Sequence, residues 1–305
     1  MNKIFEYLDH ITLGEPISFK NMTIFPVFNK NGTGFDYLTL DFALQNNLIE
    51  ILEKDLGGSV PELKVFNKSN HHILLVDGEE LIGAKQNRIL NTTIVITPYS
   101  ETIIPVSCVE QSRWSYKSKK FYTGKYSHAR LRGAKAAQVS ESLRFRGSYR
   151  SDQAKVWNEI SRKSAVLHAH SPTSALYDVY GERERDLDQY LKAFSYIKGC
   201  NGLIVAINGE IACADIFDNP KTMEVLWKKL LNSYALDAIE YIREDTKVSI
   251  EHAKSFLNEV KKGEFLVYNS VGLGEDIRIS AKNIIGSALV IEDKVIHIGL
   301  FKERR

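Results

Sequence analysis

The stretch GEELIGAKQNRILN, residues 78–91, lies inside a run of short apolar segments, and how it is read decides the fold of the first half of the chain. ELKVFNKS and HHILLVDG precede it; NTTIVITP and ETIIPVSCVE follow. Asp77-Gly78 is a strong hairpin-turn signal, and Pro98-Tyr99-Ser100 a weaker one. Apolar segments recurring roughly every ten residues predict a strand-rich lobe, sandwich or barrel-like. Four consecutive polar residues, Lys85, Gln86, Asn87 and Arg88, interrupt it. Strand alternation places Gln86 and Arg88 with Ile82, Ala84 and Leu90, and turns Lys85 and Asn87 to the other face. An arginine among apolar neighbours keeps its charge and must be paired, so Arg88 is expected to hydrogen-bond Asp77, Glu79, Glu80 or Glu110. Two readings stay open: a brace at the sheet edge, or an amide, a guanidinium and carboxylates converging on a polar ligand.

Upstream, ISFKNMTIFPVF (17–28) predicts one or two strands around a turn at Asn21. Phe42, Leu44, Leu48, Ile51, Leu52 and Leu56 at helical spacing predict a helix stopped by Gly57-Gly58. Downstream, Ser151 is expected to cap a helix through Trp157, and Ser171-Pro172 to open another. LIVAI-Asn208-Gly209-EIACADIF is a hairpin, Pro220 opens a long helix, and strands close the chain. The expected fold class is α+β: a β-rich lobe (1–112), a basic aromatic connecting segment (113–150), and a helix-rich α+β lobe closed by terminal strands (151–305).

The composition, 44% hydrophobic and 26% charged, is that of an ordinary globular protein. No apolar run is long enough to span a bilayer, and no secretory signal is visible. Three scattered cysteines, Cys108, Cys200 and Cys213, suggest neither a disulfide framework nor a zinc site, so a cytoplasmic location is expected. The net charge of +2 hides an asymmetry. Residues 113–150 hold eleven Lys and Arg against Glu141 alone, about +10, leaving about −8 elsewhere. Trp114, Tyr116, Phe121, Tyr122, Tyr126, Phe145 and Tyr149 are interleaved with those cations. Cations beside aromatics suit a phosphate-bearing ligand, nucleotide or polynucleotide; the plain alternative is a solvated loop. Asp218, before Asn219-Pro220, reads as a turn or helix cap. Asp215, inside a strand, needs a partner, with Arg144 and Arg146 the candidates. His71-His72 and His168-x-His170 show no third ligand nearby, so no metal site is expected. Walker, G-x-S-x-G, H-E-x-x-H and G-x-G-x-x-G motifs are absent.

LLVDGEELIGAKQNRILNTTIVI followed by IPVSCVEQSRW resembles the ARG and rhodanese-phosphatase-superfamily-associated protein domain, a family noticed in prokaryotic conflict-system neighbourhoods. The similarity continues through QAKVWNEI, NGEIACADIFD and WKKLLNSYALDAIE, from about residue 15 onward. Carried over position by position, the polar motif is Asp77, Gly78, Glu79, Gly83, Gln86, Asn87, Arg88, Glu110, Arg113 and Trp114. The family's name records association with ADP-ribosylglycohydrolases and phosphatases. The resemblance thereby implies, by association, nucleotide or ADP-ribose metabolism, possible defence roles included.

The expected function is binding or processing of a nucleotide-like anion related to ADP-ribose or NAD. If the ligand is hydrolysed, Glu79, Glu80 or Glu110 would be the general base or a metal ligand, with Asp77, Gln86, Asn87, Arg88, Trp114 and Asp215 around the ligand. Arg113, Arg144 and Arg146 would hold its phosphates. The alternative is a nucleic-acid-binding or assembly component acting through residues 113–150 without catalysis. No cofactor is identifiable. Because the motif ends where the charge run begins, motif and basic segment are expected to form one pocket.

Overall fold

The meander around residues 78–91 is strand-rich, as expected, in the computed structural model, which describes residues 2–29, 34–55, 57–243 and 248–303. The turns at Asp77-Gly78 and Pro98-Tyr99-Ser100, expected to close hairpins, instead carry the chain between two different sheets. Strands β5 (Ile49–Glu53), β6 (Glu62–Asn67), β8 (Glu79–Gly83), β9 (Arg88–Leu90), β11 (Glu101–Cys108) and β12 (Phe121–Tyr126) form a sheet ordered β12-β8-β9-β11-β6-β5. Strands β4 (Leu38–Thr39), β7 (Ile73–Leu75) and β10 (Ile94–Ile96) form a three-stranded sheet. Both sheets contribute to one core, with Ile51, Val65 and Val106 from the first and Ile73, Leu75 and Ile94 from the second. Sharing a core is how two sheets hide their apolar faces.

The helix expected over 40–56 is cut short. Helix α2 covers only Leu40–Gln45, Asn47 takes a left-handed turn at φ 55°, and IEILE becomes β5 with alternating burial. Alternation of β-branched Ile49 and Ile51 outweighed a coincidental helical spacing. Leu56 lies outside the described residues.

The second half is built on a sheet ordered β1-β3-β13-β14-β18-β17-β16-β15, with β2 paired to β3. Its members are β1 (Ile11–Leu13), β2 (Ile17–Phe19), β3 (Met22–Asn29), β13 (Gly202–Ile207), β14 (Glu210–Phe217), β15 (Glu264–Asn269), β16 (Glu275–Ala281), β17 (Ile284–Ile291) and β18 (Lys294–Lys302). Residues 11–29, read as part of the first lobe, are therefore hydrogen-bonded into the sheet of the second. Asn208-Gly209 has positive φ at both residues, as a tight hairpin turn requires. Helix α1 (Asn2–Asp9), which strand-dominated reading passed over, buries Ile4, Tyr7 and Leu8 against one face of this sheet, beside α8 (Ile250–Val260).

Against the other face pack α3 (Ala129–Arg146), α4 (Gln153–Val166), α5 (Leu176–Glu182), α6 (Glu184–Ala193) and α7 (Pro220–Ala238). Val76, Ile89 and Val109 of the first lobe enter that same core. Two local expectations shift: Asp152, not Ser151, caps α4, and α5 starts at Leu176, with Ser171 Oγ accepting from Ala175 N. No described helix is long and apolar enough to cross a membrane.

The main departure is residues 113–150. Residues 113–120 are irregular, as expected, but most of the remainder is regular: β12 and the eighteen-residue α3. The periodicity was hidden because α3 buries Arg132 and Lys135 together with Leu131, Ala136, Val139 and Leu143. Charged side chains occupy core positions, so the polar–apolar alternation that marks a helix is lost.

Candidate functional site

Residues 84–87 form the turn between β8 and β9, not a continuing strand, and Ala84 sits at φ 39°. All four polar residues of the run are nonetheless buried. Arg88 is fully enclosed. Its Nη1 donates to the Gln86 carbonyl (3.0 Å) and Gln86 Oε1 (3.3 Å), and its nearest carboxylate is Glu53 at 3.9 Å. None of the four expected acids is its partner; the β5 strand brings in Glu53 instead. Arg113 grips Glu110 through Nε (2.8 Å) and Nη2 (2.6 Å), while Thr173 and the Asn87 amide also donate to Glu110. Burial alone would raise Glu110, but the Arg113 and Thr173 hydrogen bonds overcome it and hold its pKa below the usual value. Such a carboxylate is a poor base. Trp114 lies half-exposed over the Arg88 guanidinium, 5.5 Å from the ring centre.

Glu79 accepts from Val76 N (2.7 Å), and Glu80 from Lys125 N (3.3 Å). Burial, reinforced by Asp41, pushes Glu79 up to about 8, and burial pushes Glu80 up to about 7. Those values would suit acid–base work, but both side chains are enclosed.

Asp77 and Asp215 meet the basic segment on the inner face of α3. Lys135 and Arg132 both reach Asp77, and Arg132 makes a two-pronged bond to Asp215 (2.8 and 2.6 Å). Asp215 also accepts from Tyr234 (2.6 Å) and pairs with His297 Nε2 (3.2 Å). His297 Nδ1 meets Thr93 Oγ1 (2.9 Å), which in turn accepts from Asp77 N (3.1 Å). An ionised Asp215 only accepts, so the contact from His297 Nε2 is a donation to it. Burial would raise Asp215, but Arg132 and the His297 hydrogen bond hold it far below the usual carboxylate range. Gly78 completes the fit. At φ 83° it suits glycine, and a Cβ there would strike Arg132 Cγ and Cδ at 2.7 Å. The expected Asp215 partners, Arg144 and Arg146, are not used: they lie beyond the buried stretch of α3, exposed in its last turn.

A second buried cluster went unread in the sequence. Asp237 bonds His128 Nδ1 (2.9 Å), Lys163 and the Arg130 amide (2.8 Å), and Lys163 also reaches Glu240. Its members come from three separate stretches, 128–130, 163 and 237–240, and carry no local signature.

Cavities on the described surface include five that no motif residue lines. One of about 390 Å³ is walled by Arg130, Glu159 and Asp237. Two others flank the end of α3 and share Glu141 and Phe145. The smaller, about 210 Å³, includes Arg144 and Glu264. The larger, about 470 Å³, is rimmed by Arg146, Arg150 and Lys155, with Ser142, Ser151 and Asp152 between them. Phe145 is 75% exposed between the two. Among the described residues no ion pair involves Arg144, Arg146, Arg150 or Lys155, whereas Arg113, Arg132 and Lys135 are all paired. The one pocket expected from motif and basic segment is thus divided. Motif acids meet the buried inner cations, and Arg144 and Arg146 face cavities elsewhere. Among the described residues, no group of three or more His, Cys, Asp or Glu is placed to hold a metal ion.

No curated protein and no solved structure matches the chain. A family model, that of the ARG and Rhodanese-Phosphatase-superfamily-associated Protein domain, matches residues 10–301. That span contains both lobes, the motif, the Asp77–Arg132–Asp215 ring and the α3 groove, and the chain belongs to this family.

Proposed function

We propose that the protein binds a nucleotide-like, phosphate-bearing anion in the groove at the end of α3. The observation that carries this reading is the set of cations without ion pairs, Arg146, Arg150 and Lys155, around one cavity of about 470 Å³. Charged groups with no internal partner lose little solvation and gain a charge-assisted bond when a phosphate arrives. Phe145 offers an exposed ring for a base, and Ser142 and Ser151 offer hydroxyls. ADP-ribose and NAD are the first ligands to try, because the family's description associates it with enzymes of that chemistry. The motif supports the groove indirectly: Asp77 fixes Lys135, two and a half turns before Arg144 on the same helix.

Calorimetric titration of ADP-ribose, NAD and ADP at low salt tests this. Binding in the micromolar range is expected, weakened about tenfold or more in Arg146→Ala/Arg150→Ala/Lys155→Ala, since each charge-assisted bond contributes about 1–2 kcal/mol. Absence of binding by all three ligands, or affinity unchanged in the triple variant, refutes the reading. A single-stranded oligonucleotide in the same titration separates the nucleic-acid alternative. Affinity that climbs with oligonucleotide length and falls steeply with salt would favour a strand over a mononucleotide.

A further inference from the structure

We propose that Glu141 makes the α3 groove selective for ribose, so that its ligand is a ribonucleotide with a free vicinal diol. This rests on the phosphate-binding reading above and specifies its ligand. Glu141 is the one acid of residues 113–150, and with Phe145 it lines both cavities at the end of α3. Arg144 follows it by one turn, at a spacing where helix neighbours pair readily, yet among the described residues the Glu141 carboxylate has neither an ion pair nor a hydrogen bond. A carboxylate accepts hydrogen bonds and donates none, as does a phosphate. In a groove of cations suited to phosphate, Glu141 therefore repels that part of the ligand, and is compensated only where the ligand presents donors. A vicinal diol presents two O–H groups side by side, matched to the two carboxylate oxygens. Phe145 stands four residues on, on the same face of the helix. A base stacked on that ring carries its sugar within reach of a side chain one turn away, about 5.4 Å. Phosphate on Arg146 and Arg150, base on Phe145 and diol on Glu141 then occupy one continuous surface.

Titrating ADP and 2′-deoxy-ADP against the wild type and Glu141→Ala tests this. The expected result is a wild-type preference for ADP of about fivefold or more, the loss of one charged hydrogen bond at an exposed site. In Glu141→Ala the preference falls to within about twofold, with 2′-deoxy-ADP bound as well as or better than by wild type, because a repulsive charge is gone. Equal wild-type affinity for the two nucleotides, with binding still dependent on Arg146, overturns the role of Glu141 and leaves the groove reading standing. A preference for ADP that survives in Glu141→Ala overturns it equally. Failure of the wild type to bind either nucleotide defeats the groove reading, and this inference with it.

Discussion

Glu79 and Glu80 are acids whose neutral form burial favours, so that both are largely protonated in mildly acidic solution. Burial raises Glu79 to about 8 and Glu80 to about 7, well above the value each has when unfolded. A raised folded-state pKa means that the stability contribution is complete below the unfolded value and is lost as pH rises through the folded one. Stability should therefore fall between about pH 4.5 and 8 on account of these two groups. Glu79→Gln, which keeps the oxygen that accepts from Val76 N, should raise stability at pH 9 by about 1–3 kcal/mol relative to pH 6. Denaturant midpoints at the two pH values measure it, and parallel pH curves for wild type and variant would contradict the burial argument. At this scale the sequence was legible in kind and misleading in detail. That Arg88 must be paired follows from its chemistry, but Glu53 was hidden inside a segment read as helix. Asp215 was rightly expected to need a partner; Arg132 was invisible because nothing near it looked like a helix core.

Among the elements, α3 does most to join the two halves. Its inner side carries Arg132 and Lys135 to Asp77 of the first lobe and Asp215 of the second. Its outer side carries Arg144 and Arg146 into solvent. Arg132→Met should cost about 3–5 kcal/mol, because Asp215 would remain buried with its main counter-charge removed. Adding Asp215→Asn should return about 1–3 kcal/mol of that loss, which a double-mutant cycle in urea reads as coupling. Strict additivity would mean that the two side chains do not act as a pair. The Asn208-Gly209 hairpin was readable beforehand because turn chemistry is local. Asp77-Gly78 does mark a turn, with Gly78 at positive φ, but it carries the chain from β7 to β8 in a different sheet, which local chemistry does not reveal. Helix α3 was not readable, because buried ion pairs replace the apolar stripe by which amphipathic helices are recognised.

At the scale of the whole molecule, the family motif and the accessible chemistry occupy different places. Apart from half-exposed Trp114, the motif residues are buried, and Asp77 and Gly78 pack against Arg132 and Lys135 of α3, which ties the lobes together. Arg144 and Arg146, at the far end of the same helix, face solvent without ion pairs among the described residues, and the proposed ligand would meet them there. The charge asymmetry of residues 113–150 announced that division without showing which cations fell on which side; only tertiary pairing sorts Arg132 and Lys135 from Arg146 and Arg150. Thermal melting with and without 1 mM ADP-ribose, for wild type and Arg146→Ala/Arg150→Ala, tests the division most directly. Without ligand the variant should melt within about 1 °C of wild type, as exposed residues away from a brace do. With ligand, wild type should rise by about 3–8 °C, the shift for a ligand near 100 times its Kd, and the variant by well under half as much. A variant that melts several degrees lower on its own, or that gains the full ligand shift, would show that the outer cations are not a separate binding surface.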